Sequence, residues 1–152
     1  MIYTSRFSNP ALKSGTYTTV RISIGEPKFA LGYYVTGEIS DLMPFGLLNK
    51  YQTYPPFAEA YKRRLSAVGV DRIRRQLDSY ERFNSKSHVV LLCFEDIRKP
   101  GEWCHRTAFA EWWYESTGVR IIELDDSSVP KVKQGKVSSE QPSEMNIQVS
   151  MF

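Results

Sequence analysis

A short apolar run followed by a polar turn constrains this chain more than any other stretch. The run at residues 89–94 (VVLLCF) is rich in β-branched residues and is followed by a KPG break at 99–101. Such a run is typical of a strand buried on both faces, as in a parallel sheet. The triplet CHR at 104–106 then opens a segment whose spacing predicts a helix near 105–117. We therefore expect polar side chains where a buried strand ends beside a helix N-terminus, the place where open α/β sheets bind ligands.

The rest of the periodicity predicts an α/β fold. Predicted strands lie at residues 2–7, 16–24, 89–94 and 119–124, and predicted helices at 55–69, 70–83 and 105–117. Strands that alternate with helices favour a three-layer architecture, with a mostly parallel sheet between flanking helices. Residues 28–56 show little periodicity and are expected to form a long irregular loop with one short helix, a kind of loop that often contacts ligands.

The chain is expected to form one domain with a tail. Its 152 residues suit a single hydrophobic core, and the apolar periodicity is confined to residues 1–125. Residues 126–146 are polar and rich in Ser, Lys, Glu and Pro, a composition typical of a flexible linker. Residues 147–152 are again partly apolar. The sequence therefore predicts an α/β domain with a disordered C-terminal tail that ends in a short docking peptide.

Composition limits the classes of function. The net charge of +3 gives a weak preference for anions and argues against tight autonomous binding of DNA. No apolar run is long enough to cross a bilayer, and the first residues lack the apolar core of a signal peptide. With only two cysteines, a disulfide framework is unsupported, so a cytoplasmic location is expected. The cysteines and histidines also lack the spacing of a structural zinc site, so we expect no metal and no cofactor.

The CHR triplet supplies the candidate catalytic residues. Cys104 is a candidate nucleophile, because a helix N-terminus and a neighbouring cation favour the thiolate. Arg106 offers a planar fork for a phosphate or carboxylate. Glu95, just past the buried strand, is a candidate base, hydroxyl binder or partner of Arg106. His105 completes the set, although adjacent side chains diverge and contact with the thiol is not required.

A purely structural interpretation of the same residues stays open. Cys104 is then a small buried residue, His105 a helix cap, and Glu95 with Arg106 a structural ion pair. A phosphatase is not expected, because Cys104 is followed by HRTAFAE, without the glycine-rich anion cradle that Cys-X5-Arg enzymes need. The aromatic residues of the predicted helix 105–117 have the spacing of core positions rather than of a base-stacking platform.

The segment LLCFEDIRKPGEWCHRTAFAEWW resembles the signature of the domain of unknown function 488 family. Further pieces that resemble it are the N-terminal YTSRF, the segment VRISIGEPKF and the Met43-Pro44 loop, so that the likeness covers about residues 1–124. The resemblance implies a compact α/β domain and no particular reaction. The site residues that it implies are Ser5, Arg6, Arg21, Glu95, Cys104, His105 and Arg106.

The chain ends in NIQVSMF, which resembles a second known pattern. The residues that match are Gln148, Val149, Ser150, Met151 and Phe152. They resemble the pentapeptide that binds the bacterial DNA sliding clamp, in which Gln is hydrogen-bonded and the last two apolar residues fill a pocket. A position at a chain end behind a linker suits such a peptide. A terminal strand that packs back on the domain, or an end without a partner, is the alternative.

These expectations combine into one hypothesis and two alternatives. The main hypothesis is a bacterial or phage protein of replication or repair that docks on the sliding clamp and carries an anion or nucleotide site, with nucleic acid or a nucleotide as its ligand. In the first alternative it is a non-catalytic binder or inhibitor of the clamp or of a host factor. In the second it is a clamp-independent enzyme that acts on a small anionic metabolite.

Overall fold

The computed structural model describes residues 1–131 of the chain. The predicted docking peptide and residues 132–146 of the predicted linker lie outside these residues. The strands are β1 (Ile2–Arg6), β2 (Thr18–Arg21), β3 (Gly37–Glu38), β4 (Val89–Cys93) and β5 (Ile122–Glu123). The α-helices are α1 (Tyr54–Val68), α2 (Val70–Phe83) and α3 (His105–Thr117), and short 3-10 helices lie at Pro10–Ser14 and Ser40–Leu42.

The five strands form one parallel sheet in the order β3-β2-β4-β1-β5 within the described part of the chain. β4 lies at the centre and every one of its residues is buried, as expected for an apolar run in a parallel sheet. It pairs with β1 from Ile2 opposite Val89 to Arg6 opposite Cys93, and with β2 on its other side. The predicted α/β class, parallel sheet and flanking helices are confirmed.

The two faces of the sheet are covered differently. All three described α-helices pack on one face, where Val20, Val89 and Leu91 join their apolar sides in the larger core cluster. On the other face, Val90 and Leu92 pack against Leu12 of the first 3-10 helix and against apolar residues of the loop at 31–35. The third layer is therefore a 3-10 helix and a loop rather than α-helices.

The connections place a crevice between the carboxyl ends of β2 and β4. The loop after β2 crosses the face covered by the 3-10 helix, whereas the chain after β4 leads to α3 on the opposite face. Neighbouring strands whose following segments leave towards opposite faces define a topological switch point, where open α/β sheets bind ligands. β1 and β4 form a second switch point by the same criterion.

Some elements differ in extent from the prediction. β2 and β5 are shorter than the predicted strands at 16–24 and 119–124, and the segment predicted as irregular contains the two-residue strand β3. β3 forms because Gly37 and Glu38 pair with Val20 and Arg21 at the sheet edge, a tertiary contact that local sequence does not encode. None of the helices in residues 1–131 has the length and apolar character to cross a membrane.

Candidate active site

A pocket of about 250 Å³ opens at the switch point between β2 and β4. The loop after β2, the end of β4 and the start of α3 form most of its wall, and Leu48 closes one side. Its polar lining consists of Ser23, Cys93, Glu95, Cys104 and His105, and its apolar lining includes Ile24, Leu48, Phe94 and Trp103. The predicted candidates Glu95, Cys104 and His105 are thus brought together, and Cys93 joins them.

The two cysteine sulfurs form the centre of the site. Cys93 is the last residue of β4, and Cys104 is the N-cap residue of α3. Their sulfur atoms lie 2.7 Å apart, and both residues are reduced and almost completely buried. The Cys104 sulfur accepts no hydrogen bond from the first turn of α3, so this helix acts on it through its dipole. This placement favours a negative charge on Cys104 rather than on Cys93.

His105 is held with one nitrogen towards the sulfurs. Its Nε2 lies 2.7 Å from the carbonyl oxygen of Ile22, and because a carbonyl only accepts, Nε2 carries the proton. Nδ1 then faces Cys93 Sγ at 3.6 Å and Cys104 Sγ at 3.7 Å. The ring of Tyr61 packs edge-on against the imidazole at 5.6 Å and fixes its plane. His105 is therefore oriented to accept a thiol proton through Nδ1.

Cys104 is the sulfur that ionises more readily. Burial by itself raises the pKa of the Cys104 thiol, but its hydrogen bond with Cys93 and its contact with His105 together lower that pKa well below the ordinary value. The charge of Arg106 acts in the same direction. Of the two thiols, Cys104 is therefore the one that loses its proton more readily.

Cys93 and Glu95, in contrast to Cys104, both have raised pKa values. Burial, with the hydrogen bond and the charge of Cys104, raises the pKa of the Cys93 thiol well above its ordinary value. Glu95 Oε1 lies 3.2 Å from Cys93 Sγ, and burial followed by the charge of Cys104 raises the pKa of this carboxyl group as well. Glu95 is half-buried at the pocket wall. It can therefore exchange a proton with Cys93 and with solvent.

Arg106 lies behind the site rather than in the pocket. Its side chain is completely buried and forms an ion pair with Glu123 of β5, with 2.9 Å between Nη2 and Oε2. It also donates to the backbone carbonyl of Glu95 at 2.8 Å, so the carboxylate that pairs with it is that of Glu123 and not that of Glu95. Nη1 has no hydrogen-bond partner among residues 1–131. Arg106 thus supplies positive charge to the thiol pair from behind.

The remaining predicted ligand residues lie elsewhere. Ser5 is buried and donates to the Arg6 carbonyl, while the Arg6 guanidinium binds Asp126 at 2.7 Å. Arg21 is closer to the pocket, because it donates to the carbonyls of Ser23 and Ile24 at 2.8 Å each. The structure therefore brings neither Ser5 nor Arg6 to the thiols, and Arg21 holds the loop that forms one wall of the pocket.

A metal ion is the other chemistry that this donor set suggests. The ligand atoms of Cys93, Cys104 and His105 lie within 4.8 Å of one another, and two thiolates with an imidazole suit zinc. Tetrahedral zinc, with Zn–S bonds of about 2.3 Å, holds two sulfurs about 3.7 Å apart, whereas these sulfurs are separated by 2.7 Å. An ion would therefore require the sulfurs to move apart by about 1 Å, and their separation lies closer to the disulfide bond length of about 2.05 Å than to that spacing.

Cys93 is the functional candidate that the sequence pattern did not reveal. Within VVLLCF it has the appearance of one more core residue, and only the end of β4 at this position turns its sulfur towards α3. No protein-family model, curated protein or solved structure matches this chain. The resemblances to the 488 family and to the clamp-binding peptide therefore stay predictions from the residues themselves.

Proposed function

We propose that this chain is a thiol-dependent enzyme in which Cys104 is the nucleophile. The observation that carries this proposal is the position of Cys104, at the N-terminus of α3 and 3.7 Å from His105 Nδ1 in an open pocket. His105 accepts the thiol proton, and Glu95 exchanges protons with a leaving group. A cytoplasmic location, which we also propose, would keep both cysteines reduced.

The pocket favours a substrate that is at least partly apolar. Ile24, Leu48 and Phe94 line it and are about 40% exposed, so they offer apolar surface at its mouth. Glu95 provides the carboxyl group beside the sulfurs, and no Lys or Arg side chain lines this pocket in the described part of the chain. These features support an uncharged reacting group over an anionic one, whether a nucleotide or a small anionic metabolite.

Alkylation by iodoacetamide tests the role of Cys104. We expect rapid modification of Cys104 at neutral pH, identified by peptide mass spectrometry, and a loss of at least about 100-fold in the initial rate in Cys104→Ser. Cys93→Ser is the matched control, in which Cys104 is expected to react more slowly than in the wild type but still much faster than any site in Cys104→Ser, because His105 and the helix N-terminus remain. Equal, slow modification of both cysteines in the folded protein would contradict the proposal, because it would show two ordinary buried thiols.

We further propose that residues 148–152 dock the protein on the bacterial DNA sliding clamp, which would place it beside replication or repair. The support is the residue pattern QVSMF, which combines a hydrogen-bonding Gln with apolar residues that suit a pocket. These residues lie outside the part of the chain that the structure describes. The docking role and the reaction at Cys104 are independent and are tested separately.

Titration of the full chain against purified clamp tests the docking proposal. Binding in the micromolar range or tighter is expected, corresponding to about 8 kcal/mol, and it is expected to be lost in the double variant Gln148→Ala/Phe152→Ala. Absence of binding at high micromolar clamp would contradict docking. A cellular phenotype that survives Cys104→Ser but not deletion of Gln148–Phe152 would instead support the non-catalytic binder or inhibitor.

A further inference from the structure

We propose that Cys93 is the resolving cysteine of a dithiol–disulfide exchange reaction, so that this pocket reduces disulfides by forming a Cys93–Cys104 bond. The proposal deepens the proposed function and rests on Cys104 being the nucleophile. It assigns a substrate class, an uncharged disulfide with an apolar neighbour. It also assigns a use to Cys93, which a single-nucleophile mechanism leaves without one.

The geometry places the two sulfurs close to bonding distance. They are 2.7 Å apart, and a disulfide bond is about 2.05 Å long, so an approach of less than about 1 Å closes it. Cys93 ends the central, fully buried strand and Cys104 begins a helix, so both sulfurs are attached to regular elements. Both also line the pocket, which gives a substrate access to the pair.

The surroundings of the two sulfurs give Cys104 and Cys93 different roles in the reaction. Cys104 has the helix N-terminus and His105 Nδ1 on its side, which favour the thiolate that attacks first. Cys93 keeps its proton and has Glu95 Oε1 at 3.2 Å, so a base is in place for the moment when it must react. Stepwise exchange requires a thiolate that attacks first and a second thiol that is deprotonated afterwards, and the carboxyl group of Glu95 is placed to deprotonate Cys93.

The reaction balances as two successive exchanges. The Cys104 thiolate attacks one sulfur of the substrate disulfide, so that a Cys104–substrate S–S bond forms, the substrate S–S bond breaks and one substrate thiolate leaves. Cys93 then gives its proton to the Glu95 carboxylate and attacks Cys104. The Cys93–Cys104 bond forms and the second substrate thiolate leaves, so that the substrate gains two electrons and the protein dithiol loses two.

The pocket lining determines which disulfides suit it. Glu95 carries the only carboxyl group in the lining described, and its charge repels anionic disulfides. Ile24, Leu48 and Phe94 provide apolar contact at the mouth. A neutral aromatic disulfide such as dithiodipyridine is therefore a suitable probe, and its released thiopyridone is measured by absorbance.

The test follows both the released thiopyridone and the mass of the full-length protein. In the wild type we expect two equivalents of thiopyridone and a protein that loses two hydrogens, retains no probe and contains a Cys93–Cys104 disulfide in its peptide map. In Cys93→Ser we expect one equivalent and a probe adduct retained on Cys104, with a first release slower than in the wild type because the hydrogen bond of Cys93 no longer favours the Cys104 thiolate. Cys104→Ser is expected to react at least about 100-fold more slowly.

The outcomes separate this inference from the proposed function. A wild-type protein that reacts rapidly at Cys104 but retains the probe there would overturn the resolving role and leave Cys104 as a nucleophile. A Cys104→Ser variant as fast as the wild type would overturn both. Stoichiometric zinc in the purified protein, lost in either cysteine variant, would also overturn the inference, because it would show the sulfurs to be metal ligands.

Discussion

Glu95 and Asp96 are neighbours in the chain, yet they lie in the two crevices on opposite sides of β4 and have opposite acid–base behaviour. Glu95 faces the thiol pocket between β2 and β4, where burial and Cys104 raise the pKa of its carboxyl group. Asp96 lies between β1 and β4, where hydrogen bonds from Arg98 lower the pKa of its carboxyl group to about 2. The two crevices occupy equivalent topological positions beside β4 but have different electrostatic environments.

The crevice between β1 and β4 holds an ion-pair cluster, composed of Arg6, Asp96, Arg98, Asp126 and Ser128. Arg98 binds Asp96 at 2.8 Å, Arg6 binds Asp126 at 2.7 Å, and Ser128 donates to Asp126 at 2.6 Å. The charges there are compensated by fixed partners, which favours stability. In the described lining of the thiol pocket, by contrast, two buried thiols and a carboxyl group with shifted pKa values lie together without a Lys or Arg side chain, an arrangement typical of functional sites.

The largest effect on stability is expected at Arg106, which lies behind the thiol pocket. Arg106→Met removes a completely buried guanidinium from Glu123 and from the Glu95 carbonyl. Breaking a buried pair in this way costs about 3–5 kcal/mol, to be measured by urea unfolding. Glu123→Gln is the milder control, because Glu123 is partly exposed. An unchanged midpoint in Arg106→Met would show that the thiol pocket has no such structural support.

Glu95→Gln is expected to slow the second exchange step strongly. Loss of the base next to Cys93 should reduce the rate of disulfide closure on the order of 10²-fold, as measured by the second release of thiopyridone. The first release, which depends on Cys104, should change little, because thiopyridone is a stable leaving group that needs no proton from Glu95. Equal slowing of both steps would mean that Glu95 acts on the pocket as a whole rather than on Cys93.

Asp96→Asn is the acid-to-amide substitution in the ion-pair cluster that matches Glu95→Gln in the thiol pocket. Because the pKa of Asp96 is lowered in the folded state, its charge stabilises the protein above the unfolded value near 3.8, and this contribution is lost as the pH falls towards about 2. We expect a loss of about 1–3 kcal/mol at neutral pH, with unchanged thiol reactivity. The difference from the wild type should shrink below about pH 4.

The corresponding acid-to-amide substitution at Glu95 should change stability in the opposite direction. The pKa of Glu95 is raised in the folded state, so its ionisation reduces stability as the pH rises above the unfolded value. Glu95→Gln should therefore be as stable as the wild type or more stable at neutral pH in urea unfolding. A loss of stability in both variants would remove the contrast between the two crevices.

The smallest effect is expected for the exposed partner of Arg21. Glu38→Gln removes an ion pair whose carboxylate is about half exposed to solvent, worth about 1 kcal/mol. The loop that lines the thiol pocket is held by the bonds from Arg21 to the carbonyls of Ser23 and Ile24. Alkylation of Cys104 should therefore proceed at the wild-type rate, and a clear change would show that Glu38 orients Arg21 for that task.

The sequence was informative where local pattern determines structure. The apolar run before Phe94 predicted the buried strand β4, and the spacing after Arg106 predicted α3. Cys104, His105 and Glu95 were expected at one sheet edge because chain order places them where β4 ends and α3 begins. The location of this edge as a ligand site followed from the general architecture of parallel sheets.

The local sequence pattern does not predict which side chains pair with one another across the fold. Arg106 was expected in the site, but the second residue of the helix turns its side chain towards β5, where Glu123 arrives from a distant part of the chain. In the sequence, Cys93 has the pattern of a core residue, because a buried cysteine and a reactive cysteine look the same within an apolar strand. Only the short distance between the sulfurs of Cys93 and Cys104, which are eleven positions apart in the chain, shows that Cys93 belongs to the site.

The most direct test of this account is the pH titration of thiolate ultraviolet absorbance in the wild type, Cys93→Ser and Cys104→Ser. We predict one thiolate with a pKa well below the ordinary value of about 8.5, present in the wild type and absent from Cys104→Ser. Cys93→Ser should keep a low-pKa thiolate through His105 and the helix N-terminus, although it loses the hydrogen bond from Cys93. A wild-type protein whose thiols both titrate at or above about 8.5 would contradict the central claim that Cys104 is the activated nucleophile.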